Sequence, residues 1–449
     1  MSDKKLSADP PPITNFERSR ALAERAHQLI PGGAHTYSKG DDQFPELAPR
    51  FLVKGKGCRV WDCDGNEYID WGMGLRSVVL GYGYEPVLAA ARAHLEDGSN
   101  FVRPHPIEVE LAEVLVELIP CAQMVKFAKN GSDVTTAAVK LARAFTGRDL
   151  VVRCQEHPFF SVDDWFIGDT PCSAGVPQAI RDLTKRFSFN NPASLRQVFD
   201  QYPNQVAAVI TEAAATEEPQ PGFLQAVHQL CQEKGAVLIL DEIITGFRWH
   251  LGGAQAYYGV TPDLATFGKA IGNGFSVSAL VGRRDIMERG GIRHPHERVF
   301  LLSTTHGGET HALAAAKATI RALEQNDLVA HVWRAGRQLQ DGINAIAAEL
   351  GLAAFIECRG VPCSPYIVIK DREGQVSLPL RTLFLQETIR RGVLIPFIAP
   401  SAAHSPEEVS LSLDAMRPAL KVVSSAIERG TTEGLLVGGP VKPVFRRFN

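Results

Sequence analysis

The chain reads as an α/β protein, with a mostly parallel sheet flanked by helices and a smaller α+β unit after it. The apolar runs at 206–210 and 236–240 are short and have no polar residue, as strands buried on both faces require. Between them Phe223, Val227, Leu230 and Cys231 fall on one helical stripe. Strand, helix and strand with short links form a βαβ unit, which makes the two strands parallel and puts a helix on the sheet face. The same alternation of short apolar runs and amphipathic stretches continues over residues 105–320, and residues 325–430 then mix helices with short strands.

The remaining elements follow in chain order. Residues 1–15 are polar and carry Pro10, Pro11 and Pro12, the composition of a flexible tail. Residues 16–30 have helical spacing that stops at Pro31-Gly32-Gly33. Residues 51–70 alternate around Gly55, Gly57 and Gly65, which predicts a small antiparallel unit with a turn at Asp64-Gly65. Residues 438–449 are a tail punctuated by glycine and proline.

Composition narrows the function. At 449 residues with 45% hydrophobic and 22% charged residues, the chain has material for a deep core and cannot be disordered throughout. Its 47 basic and 50 acidic residues leave a net charge of −3, with no footprint for nucleic acid or an anionic membrane. Eight cysteines are too few for a disulfide scaffold. Cys58/Cys63 and Cys358/Cys363 lack a neighbouring histidine cluster, so free thiols in a reducing compartment are expected rather than a metal site. The N-terminus has no apolar signal region and no run is long enough to span a bilayer, so the expected location is the cytoplasm.

Ligands of open parallel sheets bind beyond the carboxyl ends of the strands, and three segments place polar groups there. Lys129-Asn130-Gly131-Ser132-Asp133 precedes a helix with Val134, Ala137, Ala138, Leu141 and Phe145 on one face and Gly147 as its stop. Ser132 can cap that helix, whose free N–H groups suit a phosphate or are simply a capped start. Asp241 follows an apolar strand and can pair with a protonated ring nitrogen or a metal, or cap a loop. Lys269 lies among small residues in Thr266-Phe267-Gly268-Lys269-Ala270-Ile271-Gly272, as a desolvated nucleophile or a surface lysine on a glycine-rich loop. Together they supply a phosphate cradle, an acid partner for a ring nitrogen and a Schiff-base amine, the three groups that pyridoxal 5′-phosphate needs. No G-x-G-x-x-G follows a strand, so a dinucleotide enzyme is set aside.

Pro31-Gly32-Gly33, Asn130-Gly131-Ser132-Asp133, Asp241-Glu242-Ile243-Ile244-Thr245-Gly246-Phe247-Arg248 and Phe267-Gly268-Lys269 resemble the class III aminotransferases, in the branch of glutamate-1-semialdehyde 2,1-aminomutase and its relatives. Leu251-Gly252-Gly253-Ala254-Gln255 and the segment 259–264 fit the same branch, and the likeness spans roughly residues 16–430. The resemblance implies fold type I. A large domain at 105–325 would hold a mostly parallel seven-stranded sheet flanked by helices. A small α+β domain would form from 16–104, which also carries an active-site segment, and 326–430, with tails at 1–15 and 431–449. It further implies a homodimer with active sites at the interface.

Position by position, the resemblance implies that Lys269 carries the cofactor as a Schiff base and shuttles protons, while Asp241 pairs with the pyridine nitrogen. Ile243 would pack on one ring face and Phe159 on the other. Gly131 and Ser132 would hold the phosphate, with Thr305 of the partner subunit reaching it, and Glu212 would lie near the cofactor. Thr36 and Lys39 would face the substrate; Arg76 reads as an anion binder for substrate or a surface ion pair, His306 as a substrate contact or a packing residue, and no metal is expected. Arg248 and His404 read as structural.

The sequence also departs from the aminomutase pattern. Asn130-Gly131-Ser132 replaces Ser-Gly-Thr, Phe159-Phe160-Ser161 replaces Tyr-His-Gly, and Gly307-Gly308-Glu309-Thr310 replaces Ser-Gly-Asn-Pro. The carboxylate-binding arginine falls on Lys39, and the substrate-facing tryptophan falls on Leu75, followed by Arg76. Serine can replace threonine at a phosphate and Phe can stack as Tyr does, so the cofactor site is kept. A lysine offers a point charge where arginine offers a planar fork. The expected activity is therefore transfer of an amino group from an amino donor to a keto or aldehyde acceptor. The alternative is the intramolecular aminomutase reaction that gives 5-aminolevulinate.

Overall fold

The computed structural model describes residues 12–215 and 217–448. They divide into two compact units: residues up to Met73 with Arg334–Val444, and Gly74–Trp333 with the chain end from Phe445.

The second unit is built on a seven-stranded sheet. In spatial order its strands are Met124–Ala128, Ser278–Gly282, Leu264–Phe267, Val237–Glu242, Val206–Thr211, Leu150–Cys154 and Thr184–Phe187. Ser278–Gly282 is antiparallel to both its neighbours, and every other pair is parallel. This matches the expected mostly parallel seven-stranded sheet. The central strands are buried along their whole length, so their Val, Ile, Leu and Ala side chains are covered by helices on both faces. The helix Gly131–Thr146 turns Val134, Ala137, Ala138, Leu141 and Ala142 into the core and ends at Gly147, whose φ of +67° closes it in the left-handed region. Because one strand is reversed between two others, Ser278 begins at the edge where the parallel strands end. Asp241 lies within its strand, one residue before the end and opposite Thr266.

In the first unit, the helix Glu17–Leu29 stops before Pro31, as the sequence requires. The strands Leu52–Lys56, Arg59–Asp62 and Glu67–Asp70 form the expected antiparallel unit, extended by a parallel Val393–Leu394. Its turn is organised by Asp62, whose carboxylate accepts from Asp64 N at 3.0 Å, Asn66 N at 2.8 Å and the Tyr68 hydroxyl at 2.8 Å. Gly65 takes φ +90°, which a side chain would oppose. His404 is buried, stacks on Trp71 at 3.9 Å and accepts the Ser401 N–H at 3.0 Å, a structural place. Gly336 brings its helix onto backbone: an added Cβ would fall 1.8 Å from the Pro362 carbonyl oxygen. All eight cysteines are free thiols, most of them buried. Among the described residues no group of His, Cys, Asp and Glu could hold a metal, and no helix is long and apolar enough to cross a membrane.

Candidate active site

At the carboxyl edge of the large sheet, three adjacent strand ends deliver Glu212, Asp241 and Lys269. Asp241 is 5% exposed. Its Oδ1 accepts from Ile243 N at 2.9 Å and from the Thr266 hydroxyl at 3.2 Å. Among the described residues Oδ2 receives no hydrogen bond, so one oxygen is fixed and the other is available. Burial pushes this carboxyl up to about 6, although its two donors and the Lys269 charge pull the other way. The next residue contrasts with it. Glu242 is saturated by the Thr245 hydroxyl at 2.5 Å, Ala254 N at 2.6 Å and Gln255 N at 2.8 Å, and so it serves the fold.

Lys269 starts a short 3₁₀ turn after its strand, with φ at +45°, a conformation that non-glycine residues adopt at a cost. Burial drives its amine well below the ordinary lysine range, while Asp241 and Glu212 oppose the shift. Glu212 is 4% exposed, and its Oε2 has no hydrogen-bond partner. Burial and the nearby Asp241 charge raise its carboxyl, against the pull of Lys269 and Arg76. The structure thus brings one amine and two carboxyls into a single electrostatic cluster.

Around this cluster, Ile243 touches two glycines. A Cβ on Gly131 would meet Ile243 Cδ1 at 3.2 Å, and one on Gly268 would meet it at 3.0 Å. Ile243, the start of the helix Gly131–Thr146 and the Lys269 turn therefore share one floor. Ser132 does not cap that helix as expected. Asn130 is the cap residue and its N–H goes to Asp133 Oδ2 at 2.8 Å, while Ser132 Oγ accepts from Val162 N at 3.0 Å. The Asp133 carboxylate reaches back to the Lys129 and Asn130 N–H groups at 3.2 and 2.8 Å and closes the helix start from the N3 position. Phe159, on the loop that follows Leu150–Cys154, keeps 44% of its surface exposed.

The expected substrate residues are placed differently. Arg76 ends a left-handed stretch in which Gly74, Leu75 and Arg76 have φ of +57°, +60° and +69°. Arg248 holds it by donating from Nη2 to the Arg76 carbonyl at 2.8 Å. Arg248 is itself fully buried and its carbonyl accepts from Trp333 Nε1 at 3.1 Å, so it is structural, as the sequence indicates. The Arg76 guanidinium is lowered by burial and interacts with Glu212, which puts it at the cluster. Thr305 and His306 lie on an exposed loop, where Asn100 Nδ2 donates to the Thr305 carbonyl at 3.2 Å and His306 Nδ1 is 3.4 Å from Glu309. Among the described residues no hydrogen bond or ion pair joins these two to Asp241, Glu212 or Lys269. Thr36 and Lys39 belong to the first unit, where the Lys39 N–H meets the Thr36 carbonyl at 3.0 Å and the Lys39 side chain is exposed.

Two further residues organise the site. His157 is buried, and its Nδ1 accepts the Glu212 N–H at 3.0 Å, which places the ring proton on Nε2. Burial pushes it down to about 4, so it is neutral at physiological pH. Asn273, four residues after Lys269, accepts from Val79 N at 2.9 Å and Leu80 N at 2.8 Å and donates to the Gly81 carbonyl at 3.1 Å. It ties the segment after Arg76 to the lysine turn. No local pattern marks either residue, because their partners lie far away in sequence.

The family model described as "Aminotransferase class-III" matches residues 40–396. The 3-aminobutyryl-CoA aminotransferase of Cloacimonas acidaminovorans (strain Evry) is 33% identical over 423 residues, 91% of this chain and 98% of that protein. The glutamate-1-semialdehyde 2,1-aminomutase of Halobacterium salinarum (strain ATCC 29341 / DSM 671 / R1) is 37% identical over 371 residues, 80% of this chain and 81% of that protein. Among solved structures, the FumI protein of Sphingopyxis sp. MTA144 in its PLP internal aldimine form matches with a TM-score of 0.84 and 27% identity, covering 92% of this chain and 98% of that one.

Proposed function

The chain belongs to the class III aminotransferase family, and we propose that it moves an amino group between an amino donor and a keto or aldehyde acceptor with Lys269 and Asp241 as its catalytic residues. The cofactor is pyridoxal 5′-phosphate on the fold type I scaffold. The observation that carries the assignment is the meeting of Lys269, Asp241 and Glu212 at one sheet edge, with an unpartnered Glu212 oxygen and one open Asp241 oxygen.

The residues present fit the cofactor. The start of the helix Gly131–Thr146 offers N–H groups to a phosphate, and Gly131 lets that backbone lie against Ile243. Ser132 supplies a hydroxyl, Ile243 an apolar floor and Phe159 an exposed ring face. When bound, pyridoxal phosphate supplies an electrophilic aldehyde and a conjugated ring that takes up the electron pair released at the amine-bearing carbon. Lys269 is partly neutral near physiological pH because burial disfavours its charge, so it can attack a carbonyl and later carry a proton. Asp241, held in place by Ile243 N and Thr266, would offer its charge to the ring nitrogen. Glu212 is positioned by His157 and presents its free oxygen to the reacting groups. Arg76 faces the same cluster and suits a substrate carboxylate. Thr36, Lys39 and His306 complete the proposed substrate set, and Thr305 of the partner subunit joins the phosphate.

The working form is a homodimer in the cytoplasm. Phe101, Val102 and Val109 are exposed and line one cleft, apolar surface that a partner subunit would cover. Sedimentation equilibrium should give about twice the 48.9 kDa of one chain. The free thiols support a reducing compartment. The function is tested by colour: the purified protein should be yellow and should bleach with an amino donor, and an uncoloured or unresponsive protein would overturn it. Incubation with glutamate-1-semialdehyde, with 5-aminolevulinate as the readout, separates the aminomutase reading. That reading is favoured by aminomutase relatives such as the 37% identical one and opposed by Lys39 at the arginine position.

A further inference from the structure

The chain end returns to the large unit. Residues from Phe445 onward group with Gly74–Trp333, although the stretch before them groups with the other unit. Phe445 is half-buried and joins two rings. Its centroid lies 6.4 Å from Phe159 with the planes 27° apart, and 6.1 Å from Phe166 with the planes at 82°. Phe159 and Phe166 meet edge to face at 5.7 Å. The three rings form one cluster, and Phe445 packs against the same apolar core that contains Ile243. The next residue is anchored too, since the Cys172 thiol donates to the Arg446 carbonyl at 3.3 Å.

The loop carrying Phe159 is fixed on both sides of that residue, upstream through His157, whose Nδ1 accepts the Glu212 N–H at 3.0 Å. The Phe160 carbonyl accepts from the Thr135 hydroxyl at 2.8 Å, Val162 N donates to Ser132 at 3.0 Å, and Ser161 bonds Thr136 at 3.0 Å. These bonds hold backbone and small side chains, and none of them touches the Phe159 ring. Among the described residues its aromatic partners are Phe166 and Phe445. An exposed phenyl ring on a loop samples several rotamers, and ordering it on ligand binding costs free energy that prior packing removes.

We propose that Phe445 is a positioning residue for the cofactor site: the C-terminal segment packs its ring beside Phe159 and holds that ring in the orientation that stacks on the cofactor. This rests on the assignment of Phe159 as a stacking residue. An aromatic pair contributes enough beyond area burial to change an equilibrium about three- to tenfold, which is the range expected here.

The test uses full-length holoenzyme with Phe445→Ala, Phe445→Tyr, Phe159→Ala and the Phe159→Ala/Phe445→Ala pair, plus a chain ending at Val444. The readouts are the dissociation constant of pyridoxal phosphate, the visible circular dichroism of the bound cofactor and the urea midpoint of the cofactor-free protein. Phe445→Ala and the shortened chain should weaken cofactor binding about three- to tenfold and reduce the visible signal, while Phe445→Tyr restores both. The Phe445→Ala effect should vanish in the Phe159→Ala background. If Phe159→Ala weakens the cofactor but Phe445→Ala does not, or if the two effects add, the proposal is overturned and the stacking assignment stands. Loss of the urea midpoint with an unchanged visible signal also overturns it. If Phe159→Ala leaves cofactor binding unchanged, the stacking assignment fails and the proposal falls with it.

Discussion

Replacing Asp241 by Asn should stabilise the cofactor-free protein while disabling the enzyme. The carboxyl sits 5% exposed and is raised from an ordinary 3.8 to about 6. The folded state therefore binds a proton more tightly than the unfolded state, and stability falls as pH rises between those two values. The contribution is fully present below about pH 4 and is lost by about pH 6 to 7. At about 1.4 kcal/mol per pKa unit, ionising Asp241 costs the fold roughly 3 kcal/mol at pH 7 and only about 0.5 kcal/mol at pH 4. Asn keeps the accepting oxygen for Ile243 N and Thr266, which the structure places at 2.9 and 3.2 Å, and does not ionise. Urea unfolding of the cofactor-free variant and the parent across pH 4 to 8 reads the difference, in which groups outside the Asp241, Glu212 and Lys269 cluster cancel. The gain should rise with pH and level off near pH 7. A flat difference, or a variant less stable at pH 7 than the parent, would refute the reasoning. The same variant should lose turnover by orders of magnitude, because the amide presents no charge to the ring nitrogen.

Three further outcomes follow from the geometry. Lys269→Ala should abolish both the visible absorbance of a covalently held cofactor and all turnover, and an absorbance scan with a donor assay checks it. His157 is pushed down to about 4 by burial, so the unfolded chain takes up its proton first and stability is lost as pH falls from about 6.5 towards 4. His157→Gln should flatten that acid limb by up to about 3 kcal/mol, measured by urea unfolding. Gly336→Ala places a Cβ 1.8 Å from the Pro362 carbonyl oxygen and should cost several kcal/mol, whereas Gly351→Ala has nothing within 4 Å and pays only for its φ of +70°; thermal denaturation ranks the two.

The sheet was legible because the runs at 206–210 and 236–240 are apolar on every residue, a feature set by burial on both faces, and are joined by one helix with short links. Strand ends pointed to Asp241 and Lys269 on one edge, and the family resemblance added Glu212. The identity of the helix cap was not legible: Asn130, Ser132 and Asp133 all have capping side chains, and which one closes the helix depends on Val162, thirty residues away in the chain. His157 and Asn273 were invisible for the same reason. Their roles consist of hydrogen bonds to backbone at Glu212 and at Val79 and Leu80, which no local pattern encodes. The chain end read as a tail because Gly and Pro punctuate it, and the place of Phe445 beside Phe159 depends on tertiary proximity alone.

Adjacent residues show how the fold separates structure from chemistry. Glu242 is closed on all sides, and Gly253, at φ +81° with a would-be Cβ 2.7 Å from Glu242 Oε1, exists so that backbone can reach that carboxylate. Asp241 has half of its hydrogen-bonding capacity left open and Glu212 has an oxygen with no partner, so both are raised by burial that the protein offsets only in part. Desolvated groups without partners are a standing cost to the cofactor-free chain. Saturating Asp241 as Glu242 is saturated would lessen that cost, although burial still raises Glu242 in spite of its donors, and it would occupy the oxygen that a ring nitrogen needs. The open oxygens are on the two carboxyls that must meet a ligand, and a ligand that binds only the folded state offsets their cost: at a hundredfold its dissociation constant it adds about 2.7 kcal/mol, close to what ionising Asp241 takes away.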